Sequence, residues 1–445
     1  MGLHRSQFPN HFLFGAATSS YQIEGAANLD GRSPSIWDTF AHSAGRTKNG
    51  DTGDVACDHY HRYLEDTDLM QQLNFNAYRF STSWSRVLPE GRGRINQAGI
   101  DFYSRLVDSL LERGIEPWLT LYHWDLPQAL EDKGGWGARD TAFAFAEYAQ
   151  VMATHLGDRV KNWFTHNEPW CTAFLGHQIG MFAPGKKDPA LALQVAHHLL
   201  LSHGLAIPAI RNASSQAKVG AALNLWTVHP ASESEADILA AKRYDGFSNR
   251  WFLDPLYRQS YPADMLELYG DFAPKIESGD MAIIATLTDF LGVNYYIRMV
   301  VAADSTNPYL GTKTVLPPNS EYTDFNWEVY PDGLRECLER VQNEYNPKAL
   351  YITENGACYD DDLNAEGIVA DHKRQKYLEQ HLEAAHQARS NGAKLEGYFA
   401  WSLMDNFEWA EGYSRRFGLV HVDFKTQKRT PKLSAHWYKN FLGNP

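Results

Sequence analysis

The sequence predicts an α/β fold, a single (β/α)8 (TIM) barrel in which long loops after the strands form the active-site pocket. Three observations lead to this prediction: eight short apolar segments of strand length, amphipathic helices between them, and the absence of any linker, repeat or low-complexity tract. The chain has 445 residues. A barrel of this kind needs about 250 residues, so roughly 200 remain for loops. We therefore assign residues 1–445 to one domain.

The strand predictions depend on short runs of apolar, β-branched and aromatic residues that are bounded by turn-forming residues. Eight segments fit this description, at 12–18, 77–81, 117–123, 162–168, 218–225, 290–296, 349–354 and 395–402.

Helices are predicted between these strands where apolar residues recur every three or four positions. Start and stop signals are clear for three of them, at about 140–157, 331–346 and 371–391, each opened by Asp or Pro and closed by Gly or Asn. An order of strand, helix, strand at this spacing predicts parallel strands joined by right-handed crossovers. Eight such units predict a closed barrel.

Composition restricts the class of protein further. Hydrophobic residues make up 44% of the chain, and no apolar run reaches the roughly 20 residues of a membrane span. The formal charge of −13 argues against nucleic acid or an anionic membrane as a partner. Four scattered cysteines, without a CxxC pair or zinc spacing, favour a reducing, cytoplasmic location. No nucleotide or metal motif occurs, so we expect no cofactor and no metal.

Two glutamates lie where such a barrel carries its chemistry, at the carboxyl ends of strands. Glu168 closes the fourth predicted strand before Pro169, and Glu354 closes the seventh before Asn355-Gly356. A single glutamate of this kind is more often a solvated loop residue. Two at corresponding barrel positions predict the carboxylate pair that glycoside hydrolysis requires, one to protonate the leaving oxygen and one to attack or activate water.

The sequence around these glutamates resembles glycoside hydrolase family 1, the retaining β-glucosidases and β-galactosidases. The resemblance follows family order over nearly the whole chain, from about residue 8 to residue 440. Eight segments carry it, at 12–25, 78–81, 121–127, 165–169, 292–296, 352–356, 401–409 and 417–424. Because the motifs are ordered and numerous, the resemblance is far more specific than a lone Asn-Glu-Pro would be.

The resemblance implies a role for each residue of the catalytic centre. Glu168 would be the general acid/base, and Glu354 the nucleophile of a double displacement with net retention. Arg79 would keep the pKa of Glu354 low, and Tyr296 would donate a hydrogen bond to it. Asn167 would bind the sugar 2-hydroxyl. Retaining enzymes hold their two carboxyl groups about 5–5.5 Å apart, and we expect that separation here.

The resemblance also implies two subsites. The glycone-binding set is Gln22, His123, Trp124, Asn167, Trp401, Glu408, Trp409 and Phe417. The aglycone-binding set, in a region that varies within the family, is Trp170, Leu175, Asn224 and Trp327. The Glu408 carboxylate would repel a phosphorylated sugar and contact the 4- and 6-hydroxyls, so glucose and galactose both remain open.

The leading interpretation is a retaining exo-β-glucosidase that releases terminal β-D-glucosyl residues from cello-oligosaccharides and from aryl or alkyl β-glucosides. Side activity on β-galactosides and β-fucosides is expected. A transglycosylase of the same fold would instead yield oligosaccharides at modest substrate concentration. A catalytically silent sugar-binding member usually lacks one glutamate, whereas both are present here. A metal-dependent barrel hydrolase is disfavoured by the missing ligand cluster, and insensitivity to EDTA would dispose of it.

Overall fold

Thirteen strands occur within residues 3–443, the part of the chain that the computed structural model describes. Eight of them form a barrel and five belong to two small sheets. In chain order they are β1 (Leu13–Ala17), β2 (Ala77–Ser81), β3 (Glu116–Tyr122), β4 (Asn162–Asn167), β5 (Lys218–Asn224), β6 (Thr227–Pro230), β7 (Phe290–Asn294), β8 (Arg298–Ala303), β9 (Thr312–Val315), β10 (Leu350–Asn355), β11 (Leu395–Trp401), β12 (Val420–Asp423) and β13 (Lys428–Pro431).

The closed barrel runs in the order β1, β2, β3, β4, β5, β7, β10, β11 and back to β1. Every neighbouring pair in this ring is parallel. The predicted fold class is confirmed, and each of the eight predicted strands has ends within two residues of those observed. The assignment of residues 1–445 to one domain stays a prediction, and residues 1, 2, 444 and 445 lie outside the described part.

Helices connect the strands and cover the barrel. The α-helices in the described chain are α1 (Ser20–Ile23), α2 (Ile36–Ala41), α3 (His59–Gln72), α4 (Trp84–Val87), α5 (Gln97–Glu112), α6 (Gln128–Glu131), α7 (Asp140–Leu156), α8 (Pro189–Ala213), α9 (Glu235–Asp245), α10 (Trp251–Arg258), α11 (Ala263–Tyr269), α12 (Asp280–Ile284), α13 (Pro331–Tyr345), α14 (His372–Ser390) and α15 (Leu433–Gly443).

The three helices with clear sequence signals are present as α7, α13 and α14. Pro331 is the first residue of α13, where a missing N–H costs nothing, and Asn346 ends this helix with a left-handed backbone. α14 follows Asp371, as predicted. Asp140 is the first residue of α7 and not its cap, which is Arg139.

α8 is apolar and long enough, with 25 residues, to cross a membrane by length and composition alone. In the folded chain, however, 78% of its most apolar window is buried, and the helix packs against α7. Its hydrophobicity is therefore explained by its place in the protein core. The expected absence of a membrane partner stays a prediction.

Aromatic and small side chains fill the interior of the barrel. The Trp118 ring lies 4.5 Å from Tyr351 and 5.3 Å from Phe290, measured between ring centroids. Phe164 joins the same buried cluster, and the Arg79 guanidinium carbon lies 5.0 Å from the centroid of its ring. The barrel is thus a packed core and not a pore, and this core supports Arg79 from one side.

A buried ion network joins the long loops on the C-terminal side of the chain. Asp361 follows β10, Asp405 follows β11, and Lys432 lies just before α15. The Lys432 ammonium contacts both carboxylates, and Arg374 of α14 contacts Asp361 and Asp371. All five side chains are nearly inaccessible to solvent. The network therefore ties together two loops that reach the barrel mouth.

We expect Lys432→Met to lower the free energy of unfolding by about 3–5 kcal/mol, because it leaves two buried carboxylates short of a cation. Denaturant unfolding followed by circular dichroism would measure it. The matched control is Lys376→Met, which removes an ion pair with Glu321 that is largely exposed and should cost less than about 1 kcal/mol. Equal losses in the two variants would contradict a structural role for the network.

Candidate active site

The two predicted glutamates lie at the mouth of the barrel. Glu354 is in the last part of β10, and Glu168 follows the last residue of β4 directly. Only 6% of Glu168 and 3% of Glu354 is exposed to solvent. Their carboxyl groups are therefore in a largely dehydrated environment, where neighbouring charges act strongly.

Two donors hold Glu354. The Nη1 atom of Arg79 donates to Oε1 of Glu354 at 2.7 Å, and the Tyr296 hydroxyl donates to Oε2 at 2.7 Å. Both contacts favour the ionised form of the carboxyl group. The geometry matches the partners that the sequence suggested for this glutamate.

A chain of hydrogen bonds links Glu354 to Glu168 and determines which amide atoms donate. Arg79 can only donate, and its Nη2 lies 2.6 Å from Oδ1 of Asn167. The same oxygen accepts from Nδ2 of Asn294 at 3.0 Å, and that nitrogen also donates to Oε1 of Glu168 at 2.7 Å. The Asn294 oxygen accepts from Thr353. The orientations of the Asn167 and Asn294 amides are therefore set by the Arg79 guanidinium, which can only donate.

The remaining nitrogen of the Asn167 amide faces His123. Because Oδ1 of Asn167 accepts two hydrogen bonds, its Nδ2 donates to Nε2 of His123 at 3.0 Å. Burial and the charge of Arg79 hold the pKa of His123 well below its usual range, so the ring is neutral. Its proton is then on Nδ1, which has no partner among the described residues.

A cavity of about 140 Å³ opens between the glutamates and the loops. Its wall is mostly aromatic, with carboxyl groups at one end. The lining residues are His123, Trp124, Glu168, Cys171, Leu175, Phe182, Tyr296, Phe325, Trp327, Glu354, Trp401, Glu408, Trp409 and Phe417. Flat apolar rings beside polar groups are suited to a ligand with both an apolar face and hydroxyls.

The rings form two groups. In the first, the Trp409 ring contacts Trp124 and His123, and His123 also contacts Trp401, with ring centroids 4.6–6.0 Å apart. The other joins Tyr296, Trp327 and Phe417 with Phe325, at 5.0–6.2 Å. The first group contains predicted glycone residues, and the second contains the predicted aglycone residue Trp327 beside the predicted glycone residue Phe417.

Three residues of the cavity wall have a left-handed backbone. Trp124 has φ of +80°, Glu168 of +47° and Trp409 of +49°. Such values are uncommon for any residue other than glycine and cost of order 1–3 kcal/mol each. The surrounding packing must hold them, and strained residues of this kind cluster at functional sites.

Several predicted site residues do not line this cavity. Gln22 is fully buried. Its amide oxygen accepts a hydrogen bond from Ser19, and its amide nitrogen donates to Asn406 and to the Phe407 carbonyl. Trp170 packs against Trp226, Phe174 and Phe247. Asn224 ends β5 and is also buried. Asn167 lies in the hydrogen-bond chain behind the wall. Contact of these four with a ligand stays a prediction.

The net pKa shift of Glu354 differs from the one that the sequence suggested. Burial raises the pKa of Glu354 above its ordinary value, although Arg79 and Tyr296 oppose the rise. Burial and the negative charge of Glu354 raise the pKa of Glu168 to about 8. Because Arg79 contacts Glu354 and no cation contacts Glu168 in the described chain, the pair loses its first proton from Glu354.

Glu408 is a third carboxyl group in the cavity. Burial, followed by the charges of Glu354 and Glu168, raises its pKa to about 8. Its carboxyl group makes no hydrogen bond to any other described residue. The raised pKa favours the neutral form of the group, which can donate as well as accept.

A larger cavity, of about 230 Å³, lies elsewhere, between β6 and α13. Its charged residues are already paired, His229 with Glu336 and Arg340 with Asp245. It has no pair of facing carboxyl groups. The chemistry therefore favours the smaller cavity at the barrel mouth, although size alone would favour the other.

Sequence reasoning missed four residues of the site. Asn294 ends β7 within a segment that matched the family, so its strand-end position alone could have indicated it. Cys171 lies three residues after Glu168 and donates to it. Phe182 and Phe325 come from long loops and carry no sequence signal, because only the folded loops bring them to the cavity.

Comparison with known proteins agrees with this geometry. The model of glycosyl hydrolase family 1 matches residues 4–444. β-Glucosidase A of Thermotoga maritima and a 1,4-β-D-glucan glucohydrolase of Thermotoga neapolitana are each 48% identical, over 98% of this chain and 98% of their own. A bifunctional β-D-glucosidase/β-D-fucosidase of Bifidobacterium breve is 45% identical, again over 98% of each chain.

Solved structures give the same result. A family 1 β-glucosidase from Thermotoga maritima superposes with a TM-score of 0.96, covering 98% of both chains at 48% identity. The Thermotoga maritima β-glucosidase in complex with deoxynojirimycin superposes with a TM-score of 0.95 and the same coverage and identity. On the family match and these identities, the chain belongs to glycosyl hydrolase family 1 and is a glycoside hydrolase.

Proposed function

We propose that this protein is a retaining exo-β-glucosidase that works by double displacement without metal or cofactor. The observation that carries the proposal is the pair of buried glutamates with unlike surroundings. Arg79 and Tyr296 hold one of them, while an amide and a thiol hold the other. When the surroundings of two carboxyl groups give them different pKa values, one can act as the acid and the other as the nucleophile.

Glu354 is the nucleophile in this mechanism. Its ion pair with Arg79 makes it the member of the pair that is ionised first. It attacks the anomeric carbon and forms a covalent glycosyl-enzyme as the leaving oxygen departs. The Tyr296 hydroxyl, at 2.7 Å, keeps the carboxylate oriented before the attack.

Glu168 is the general acid and then the general base. A pKa of about 8 keeps it protonated at neutral pH, so it can protonate the leaving oxygen. Once Glu354 is esterified, its negative charge is gone and the pKa of Glu168 falls. Glu168 can then accept a proton from the incoming water.

The glycone is held by donors and rings at the closed end of the cavity. His123 and Glu408 both line the cavity, and the Glu408 carboxyl group has no hydrogen-bond partner in the described chain. We assign the 2-hydroxyl to Asn167, the 4- and 6-hydroxyls to Glu408, and the apolar sugar face to Trp401. Gln22, Trp124, Trp409 and Phe417 complete the glycone set.

The aglycone side is apolar. Leu175, Phe182, Phe325 and Trp327 line it, and rings and aliphatic groups favour aryl and alkyl β-glucosides. The 1,4-β-D-glucan glucohydrolase supports cello-oligosaccharides as substrates, and the β-D-glucosidase/β-D-fucosidase supports side activity on β-fucosides. Side activity on β-galactosides is part of the same proposal, with Trp170 and Asn224 as further aglycone residues.

We also propose a cytoplasmic location, which the four buried, unpaired cysteines support, since such thiols persist in a reducing compartment. Activity found outside the cytoplasmic fraction of the source cells would contradict it.

We expect Glu354→Gly to lower kcat/KM for a nitrophenyl β-D-glucoside by roughly 10⁴-fold or more, because no covalent intermediate can form. Glu168→Ala should lose activity similarly on alkyl glucosides, because their leaving oxygen must be protonated by an acid. Added azide should restore its turnover on the nitrophenyl substrate as a β-glycosyl azide. Glu366→Gly, on an exposed loop, is the control. Unaltered activity of the Glu354 variant would remove the nucleophile from the mechanism.

We expect the first-formed product to be the β-anomer, because two inversions at the anomeric carbon give net retention. Proton NMR in the first minutes of hydrolysis, before the sugar mutarotates, would measure it. An α-anomer formed first would exclude double displacement and would favour a water-mediated inverting mechanism.

We expect Glu408→Ala to lower kcat/KM for the β-glucoside by about 10–100-fold, the loss of one or two hydrogen bonds to a polar group. The loss should be smaller for the β-fucoside, which has no 6-hydroxyl. A panel of nitrophenyl β-D-glucoside, galactoside, fucoside and 6-phosphoglucoside would measure both. A loss of equal size for every sugar, or a preference for the 6-phosphoglucoside, would contradict the assigned contacts.

A further inference from the structure

Cys171 contacts the carboxyl group of Glu168 in a way that the proposed function does not yet use. Its Sγ lies 3.1 Å from Oε2 of Glu168, and its backbone N–H donates to the Glu168 carbonyl at 2.9 Å. The thiol is buried and lines the cavity beside the glutamate. The other oxygen of Glu168 is occupied by the amide of Asn294.

The two partners of Glu168 are not equivalent. The Nδ2 atom of Asn294 can only donate, and the chain from Arg79 through Asn167 sets its orientation. Oε1 of Glu168 is therefore an acceptor in both protonation states, and the acidic proton is on Oε2. A thiol can both donate and accept weakly. Cys171 is thus the partner of the one oxygen that loses and regains the proton.

We propose that Cys171 is a positioning residue for the acid/base step, whose thiol accepts from Oε2–H of neutral Glu168 and donates to Oε2 of ionised Glu168. This inference rests on the proposed role of Glu168. The thiol never gives up its own proton, because burial and the nearby charge of Glu168 hold its pKa well above the usual range.

The steps balance as follows. In the first step, the Oε2–H bond of Glu168 breaks and its proton goes to the glycosidic oxygen. At the anomeric carbon, the bond to the leaving oxygen breaks and the bond to Glu354 forms. The Cys171 S–H then turns toward the new carboxylate. In the second, a water proton goes to Oε2, the water oxygen bonds to the anomeric carbon, and the ester to Glu354 breaks.

The experiment compares Cys171→Ala and Cys171→Ser with the wild type by the pH dependence of kcat/KM on an aryl β-glucoside. The alkaline limb reports deprotonation of Glu168 in the free enzyme. The Ala variant lacks a donor to the Glu168 carboxylate, so the pKa of Glu168 should rise and the alkaline limb should shift to higher pH by about 0.5–1 unit. The Ser hydroxyl, a stronger donor, should move it down. Cys337→Ser, in α13, is the control and should leave it unchanged.

A double-mutant cycle separates this role from packing. In a Glu168→Ala background, assayed with a dinitrophenyl β-glucoside that needs no acid, Cys171→Ala should change kcat/KM less than about 2-fold. An alkaline limb that is the same in wild type, Ala and Ser variants would overturn the positioning role, as would a Cys171 effect that persists without Glu168. Full activity of Glu168→Ala alone on an alkyl β-glucoside, whose leaving oxygen needs an acid, would instead overturn the proposed function. Thermal unfolding of each variant confirms that it folds.

Discussion

The site depends on one buried cation. Arg79 is 1% exposed, lies against the Phe164 ring, and is the one cation that the carboxyl groups of the cavity contact within the described chain. A guanidinium only donates and does not lose its proton. It therefore makes Glu354 the ionised member of the pair, and through Asn167 it determines the orientation of the amide that reaches Glu168. Removing it would leave buried carboxyl groups uncompensated and the amide orientations undetermined.

Of the three carboxyl groups that line the cavity in the described chain, only Glu354 contacts this cation. Burial, with the charge of Glu354, raises the pKa values of Glu168 and Glu408 to about 8. A dehydrated pocket whose carboxyl groups have raised pKa values is suited to a neutral sugar, because protonated carboxyl groups can donate to hydroxyls.

The barrel and its loops contribute differently. The strands supply Arg79, Asn167, Asn294 and Glu354 on a ring whose geometry is set by parallel pairing and a packed core. The loops supply Glu408 and most of the rings, whereas Trp401 ends β11. The loops need support of their own. Packing holds the strained backbones in the wall, and the buried ion network around Lys432 ties the loops after β10 and β11 together. The strands therefore place the two glutamates, while the loops form most of the cavity wall.

The sequence by itself determined the barrel, the two glutamates and most of their partners, because apolar strand segments and strand-end residues are local signals and the matching motifs are ordered. It could not determine that burial outweighs Arg79 in the net pKa shift of Glu354, nor that the pKa of Glu408 is raised. Nor could it determine that Cys171 contacts Glu168, or that Gln22 and Trp170 lie off the cavity wall. Those properties depend on dehydration and on contacts between segments far apart in the chain, so only the tertiary structure decided them.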